Sequence, residues 1–115
     1  MAGWLRALHG RPGWQLWTVA DGADVVGGGC LFVDRPRDVA WLGMGAVLPS
    51  HRRRGGQGAL MGARIDAAAA AGVHWIATET GEPLTPGDAD PSYDNMRRHG
   101  FEVVASRLNL VAPAA

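Results

Sequence analysis

The chain contains no lysine: all eleven basic residues are arginine. A Walker A loop needs a lysine after its last glycine, so that class of nucleotide binding is excluded. Cysteine is nearly missing too. Cys30 stands alone, which rules out an intramolecular disulfide, and its setting in "GGGCLFV" marks it as a small buried hydrophobe. The formal net charge is zero, so no overall field favours nucleic acid. No apolar run is long enough to span a bilayer, and the first ten residues hold no apolar stretch of the kind a secretory leader carries. The four histidines, His9, His51, His74 and His99, have neither metal-ligand spacing nor cysteine partners. These absences point to a soluble cytoplasmic protein without a structural metal, and 115 residues suit one small domain.

The remaining composition is 47% apolar, enough for a core. Residues 2–8 read as a short helix with Trp4, Leu5 and Leu8 on one side, stopped by "GRPG". Residues 14–20 and 25–33 read as two strands joined by the turn "DGAD", an antiparallel hairpin. Gly27, Gly28 and Gly29 fall inside the second strand, where glycine marks a bulge or a close backbone approach. After "DRPRD", residues 39–48 form a third strand, ended by Pro49. From Gly56 the pattern becomes helical, with Met61, Ile65, Ala68 and Ala69 on one face and Gly72 as the terminating glycine. A strand over 73–78, a loop over 81–91 rich in Pro, Gly and Asp, and a short helix over 92–99 closed by Gly100 follow. Residues 101–112 read as one bent strand or two short ones. There is no internal repeat and no low-complexity linker.

The stretch "RRRGGQGAL", residues 52–60, places positive charge beside bare backbone at the start of a helix. A helix N-terminus offers free N–H groups and the positive end of its dipole. Glycines let a ligand approach those groups closely, and arginines add forked donors for phosphate. The pattern therefore fits a pyrophosphate cradle as well as it fits a solvated basic loop. A dinucleotide fingerprint is the nearest alternative: Gly56, Gly58 and Gly62 give a variant spacing, with Glu79 about twenty residues on as a ribose ligand. The intervening segment 49–54 and the antiparallel strands upstream count against it.

"VLPSHRRRGGQGAL" resembles the acetyl-CoA-binding motif of the GNAT superfamily of N-acetyltransferases. In that pattern, [Q/R]-x-x-G-x-[G/A], Arg52 fills the first place and Gly55 the fourth. Gln57, in the sixth, departs from the usual Gly or Ala, with Gly58 directly after it. "NMRRHGF", residues 95–101, resembles the short helix ending in Gly-Phe found in the same superfamily. The resemblance implies an α+β fold, a mixed and mostly antiparallel sheet with flanking helices. It implies acetyl-CoA as cosubstrate and transfer of the acetyl group to a primary amine. Gly45, Ala46 and Val47 would meet the pantetheine arm. Arg52, Arg53, Arg54, Gly55, Gly56, Gln57 and Gly58 would hold the pyrophosphate, and Asn95 would touch the cofactor or orient its own helix. A non-catalytic acyl-CoA-binding module or partner subunit is the alternative.

Direct transfer needs a base for the attacking amine and an acid for the leaving thiolate. By the same resemblance Glu79 is the candidate base, ahead of Glu82 and Asp94. The usual acid position holds Met96, so Tyr93, the only tyrosine, is the substitute. Ser92 reads as a helix N-cap rather than a nucleophile. Trp41 and Trp75 read as core packing. Against the superfamily pattern the first strand and helix are lacking before Trp14. This predicts one domain over residues 1–115, short at its N-terminus, in which the strand 14–20 is an open edge prone to self-association or to capture of a complementing chain.

Overall fold

Two antiparallel hairpins and one parallel crossover build the sheet, in the order β1-β2-β3-β4. The computed structural model describes residues 3–81, 85, 87, 88 and 90–106. Helix α1 (Gly3–Leu8) leads into β1 (Trp14–Asp21), β2 (Asp24–Asp34) and β3 (Val39–Val47). A single 3-10 turn, Pro49–His51, precedes α2 (Gly56–Ala70), which crosses over to β4 (Trp75–Thr78). Helix α3 (Pro91–Arg98) follows the loop. The sheet is mixed, with β1, β2 and β3 antiparallel and β4 parallel to β3. This is the α+β architecture that the sequence implies.

Alternation along the strands separates two faces. On one, Leu31, Ala40 and Leu42 meet Met61 and Ala68 of α2, with Val33, Ile65, Ile76, Met96 and Phe101 packed around them. Leu31 and Leu42 are almost wholly shielded from water, and each side chain so buried contributes about 1.5–3 kcal/mol. On the other face Trp14 and Phe32 are cross-strand partners with ring centroids 4.7 Å apart. Trp14 also meets Trp41 edge-on at 6.0 Å.

Four sequence expectations are corrected by this packing. Trp75 is 71% exposed rather than in the core. It opens β4, whose burial pattern turns Ile76 and Thr78 inward and Trp75 and Ala77 outward. The buried stripe of α2 runs through Leu60, Met61, Arg64 and Ala68, and Ala69 lies beyond its edge. The inward face is turned toward Arg64, which is buried with them. The N-cap of α3 is Asp90, not Ser92: Asp90 accepts from the Tyr93 amide at 3.1 Å, and Pro91 occupies the first turn, where a missing N–H costs nothing. Residues 101–106 form no strand, and 107–112, the rest of the expected strand, lie outside the described residues.

Candidate functional site

The parallel pair at one side of the sheet parts company midway. Strands β3 and β4 pair from Val39↔Trp75 to Leu42↔Thr78, where β4 ends and β3 runs on to Val47. At that apex the Thr78 hydroxyl donates to the Leu42 carbonyl at 2.8 Å. On its other side β3 carries a bulge. Gly28 pairs with Ala46 and Cys30 with Gly43, so Gly29 faces both Met44 and Gly45. An extra residue bends the strand and disturbs its ladder, and Met44 takes a left-handed backbone at φ 56°. Divergence and bulge together open a groove of about 790 Å³.

The groove gathers residues from all four strands and from α2 and α3. Gly45, Ala46 and Val47 line it from β3, Arg52 and Gln57 from the loop and first turn of α2, Thr78 and Glu79 from the end of β4, and Asn95 and Met96 from α3. Its apolar share comes from Trp17, Val25, Leu48 and Met61 among others. Two of the β3 carbonyls are held by side chains. Gln57 Nε2 donates to the Gly45 carbonyl at 3.4 Å, and Arg52 Nε donates to the Val47 carbonyl at 3.2 Å. These residues are two apart and so point to the same side of the strand.

Beside the groove lies the arginine–glycine segment. Gly55 is the N-cap of α2 at φ 81°, a conformation that few other residues accept. A Cβ built there meets nothing within 4 Å, so the space before the helix is open. Gly56 and Gly58 lie in the first turn, Gly58 against the Asn95 side chain, whose Oδ1 is 3.7 Å from the place a Cβ would take. Arg53 sits at φ 63° and is exposed. The loop is tied down by β1: His51 Nε2 and Arg54 Nη1 lie 3.1 and 3.7 Å from the same Asp21 oxygen, and Ser50 Oγ lies 2.7 Å from His51 Nδ1.

The structure therefore brings Gly45, Ala46, Val47, Arg52, Gln57, Glu79 and Asn95 to one groove. Arg53, Arg54, Gly55, Gly56 and Gly58 are not in its lining; they belong to the segment that carries the lining residues Arg52 and Gln57. Tyr93 is half-buried on α3 and does not line the groove, whereas Met96, one turn on, does. Asp94 is also off the groove lining, and Glu82 lies outside the described residues. Among the described residues no cluster of metal-ligating side chains occurs, and no helix is long and apolar enough to cross a membrane.

Arg64 is the lining residue that sequence reasoning passed over. It is only 2% exposed. Its Nη1 donates to the Cys30 and Gly43 carbonyls, each at 3.0 Å, and its Nε to the Leu60 carbonyl at 3.4 Å. Burial pulls its pKa down, partly offset by the nearby Cys30 thiol. Burial pushes the Cys30 thiol up, partly offset by the Arg64 charge. The guanidinium stays protonated, since arginine does not lose its charge in proteins. One signal was available in the sequence: a single arginine four positions after Leu60, in a helix made mostly of alanine and glycine.

The sequence matches the family described as the acetyltransferase (GNAT) family over residues 2–87. No curated protein matches the chain in sequence. Among solved structures, it is similar to the aminoglycoside acetyltransferase meta-AAC0020 from an uncultured soil metagenomic sample, in complex with sisomicin. The TM-score is 0.75 at 15% identity, covering 96% of this chain and 72% of that one. It is also similar to the aminoglycoside N-acetyltransferase AAC(6')-Iy in complex with CoA, with TM-score 0.74, 18% identity and coverage of 95% and 83%. A Trypanosoma brucei acetyltransferase gives TM-score 0.73 at 17% identity, covering 94% and 75%. At these identities the likeness is one of fold.

Proposed function

The chain belongs to the acetyltransferase (GNAT) family, and from that premise we propose that it moves an acetyl group from acetyl-CoA to a primary amine. One observation carries the reading: the groove between the parted strands runs up to an open, glycine-capped helix N-terminus. An acyl-pantetheine arm needs an apolar slot with backbone partners, and a diphosphate needs bare amides. The slot here has both walls. The Gly45 and Val47 carbonyls supply acceptors for pantetheine amides once Gln57 and Arg52 release them. Gln57 replaces a small residue of the family motif, and its flexible side chain swings aside at little cost. Arg53 is exposed and free of ion pairs among the described residues, so it is available to the phosphates.

Acetyl-CoA supplies an activated acyl carbon, which the amine attacks while the thiolate leaves. The chain's part is to take one proton and return one. Glu79, just beyond the end of β4 and in the groove lining, is the base that accepts the ammonium proton. Tyr93 is the candidate acid for the thiolate, and it serves only if α3 turns it toward the groove. A non-catalytic acyl-CoA-binding module is the second reading. The position of Met96 in the groove, where a hydroxyl is wanted, favours it.

The test is thiol release from acetyl-CoA in the presence of a panel of primary amines that includes an aminoglycoside. Amine-dependent release supports transfer. CoA binding without release on any amine supports the binding module, and neither binding nor release refutes both.

A further inference from the structure

We propose that Arg64 is a positioning residue for acyl transfer: it turns and polarises the Gly43–Met44 peptide so that the Met44 amide faces the groove as a donor to the reacting acyl oxygen. The inference rests on the acetyl-transfer reading of the same groove.

The geometry starts from a cation where none is expected. Arg64 is 2% exposed, and among the described residues no carboxylate lies within ion-pair distance of it. A buried charge without a counter-charge is costly, so it persists where its donors are well used. Here Nη1 bridges the bulge by bonding the Cys30 carbonyl of β2 and the Gly43 carbonyl of β3. Two glycines make room for it. A Cβ on Gly29 would sit 2.8 Å from Nη1, and one on Gly45 would sit 3.1 Å from Nη2. Gly29 and Gly45 face each other across the bulge. The guanidinium is thus built into the one irregular stretch of β3.

The consequence follows from the peptide unit. The Gly43 oxygen accepts from Arg64 and also from Cys30 Sγ at 3.3 Å, so it points toward β2. All described peptides are trans, and in a trans peptide the N–H points opposite to the C=O. The Met44 N–H, which belongs to this same peptide, therefore points away from β2. That is the side from which β4 has departed after Leu42↔Thr78. Met44, Gly45, Thr78 and Glu79 all line the groove there. A charge-assisted bond to a carbonyl strengthens the donor at the other end of the same peptide. Negative charge gathers on the acyl oxygen when the amine adds to the thioester carbon, and it is dispersed when the C–S bond breaks and the electron pair leaves on sulfur. A pre-aimed, polarised amide stabilises that charge without having to move. Arg64 itself need not touch the substrate.

Two variants remove the effect by different routes. Arg64→Met deletes the cation. Gly29→Ala keeps it but places a Cβ 2.8 Å from Nη1, so the flexible guanidinium gives way. Three readouts are compared with the parent: kcat for acetyl transfer, affinity for CoA, which lacks the acyl carbonyl, and the Met44 amide proton shift in the free protein. In both variants kcat is expected to fall about tenfold or more, with CoA affinity held within about twofold. The Met44 amide proton is expected to move upfield in both. Arg64→Lys, which keeps a charge but loses the fork, should recover part of kcat. A folded Arg64→Met with parental kcat and an unmoved Met44 amide would overturn the proposal, as would equal loss of CoA binding and kcat. If Arg64→Met does not fold, Gly29→Ala decides by the same readouts. If the parent transfers acetyl to no amine, the acetyl-transfer reading fails, and the Met44 shift alone still decides whether Arg64 polarises that peptide.

Discussion

Thr78 donates from its hydroxyl to the Leu42 carbonyl at 2.8 Å, and this bond closes the apex of the groove. Beyond it β3 and β4 no longer pair. A side chain thus completes a ladder at the point where the backbone stops doing so. Thr78→Val keeps the shape and removes the donor, leaving the Leu42 carbonyl without that partner. The expected loss is about 1–2 kcal/mol of folding stability. Urea unfolding of the two proteins measures it, and equal midpoints would mean that the apex is held by packing alone.

Gly55 stands at the mouth of the site with φ 81° and open space where a Cβ would go. Gly55→Asp is expected to fold, because Asp tolerates a left-handed backbone better than most residues. It puts a carboxylate where a diphosphate would approach, so CoA affinity should drop by about a hundredfold or more. Arg54→Ala should weaken binding modestly, and more at low salt. Calorimetric titration checks both. Parental affinity in a folded Gly55→Asp would move the phosphate site elsewhere.

His74 and Asp38 tie the start of β4 to the turn before β3. The Asp38 carboxylate accepts from the His74 ring at 2.9 Å and from its backbone amide at 2.9 Å. Those bonds, the ring's first, hold the Asp38 carboxyl below its ordinary 3.8. The sign follows: a depressed carboxyl contributes stability that is complete above about pH 5 and is lost as the pH falls through the folded value. Asp38→Asn tolerates the φ of 59° at this position and no longer titrates. Its stability should therefore fall less steeply than the parent's between about pH 5 and pH 3. Parallel curves would show that Asp38 plays no part in the acid response.

Glu79→Gln should lower kcat about a hundredfold at neutral pH while leaving CoA affinity close to the parent's. It keeps the size and removes the base. The deficit should narrow as the pH rises and the amine loses its proton unaided. A pH–rate profile on the best amine is the measurement, and equal rates at neutral pH would assign the base elsewhere.

The sheet was legible in the sequence because its signals are local. "DGAD" and "DRPRD" are turn chemistry, and strand residues alternate between two faces. The glycines 27–29 marked a bulge or a close backbone approach, and the structure puts Gly29 opposite the bulge of β3. The cofactor motif was legible from Arg52, Gly55 and Pro49 through its likeness to a family. What could not be read was set by contacts far apart in the chain. Arg64 is buried because glycines 35 and 19 positions before it, Gly29 and Gly45, leave it room. No periodicity reveals such a pocket. Trp75 misled for the opposite reason: a large aromatic residue in a strand reads as core, but parity along β4 turns it outward. The tie from Asp21 to His51 and Arg54 joins the end of β1 to a loop that only the folded sheet brings beside it.

The most direct measurement is an amide NMR titration of the full chain with CoA. If the groove and the glycine-capped helix form one acyl-CoA site, the amides of Gly45 to Val47 and of Arg53 to Gly58 should shift together, saturating at one equivalent, while NADPH leaves them in place. Shifts confined to other parts of the fold, or none at saturating CoA, would contradict the assignment of this site.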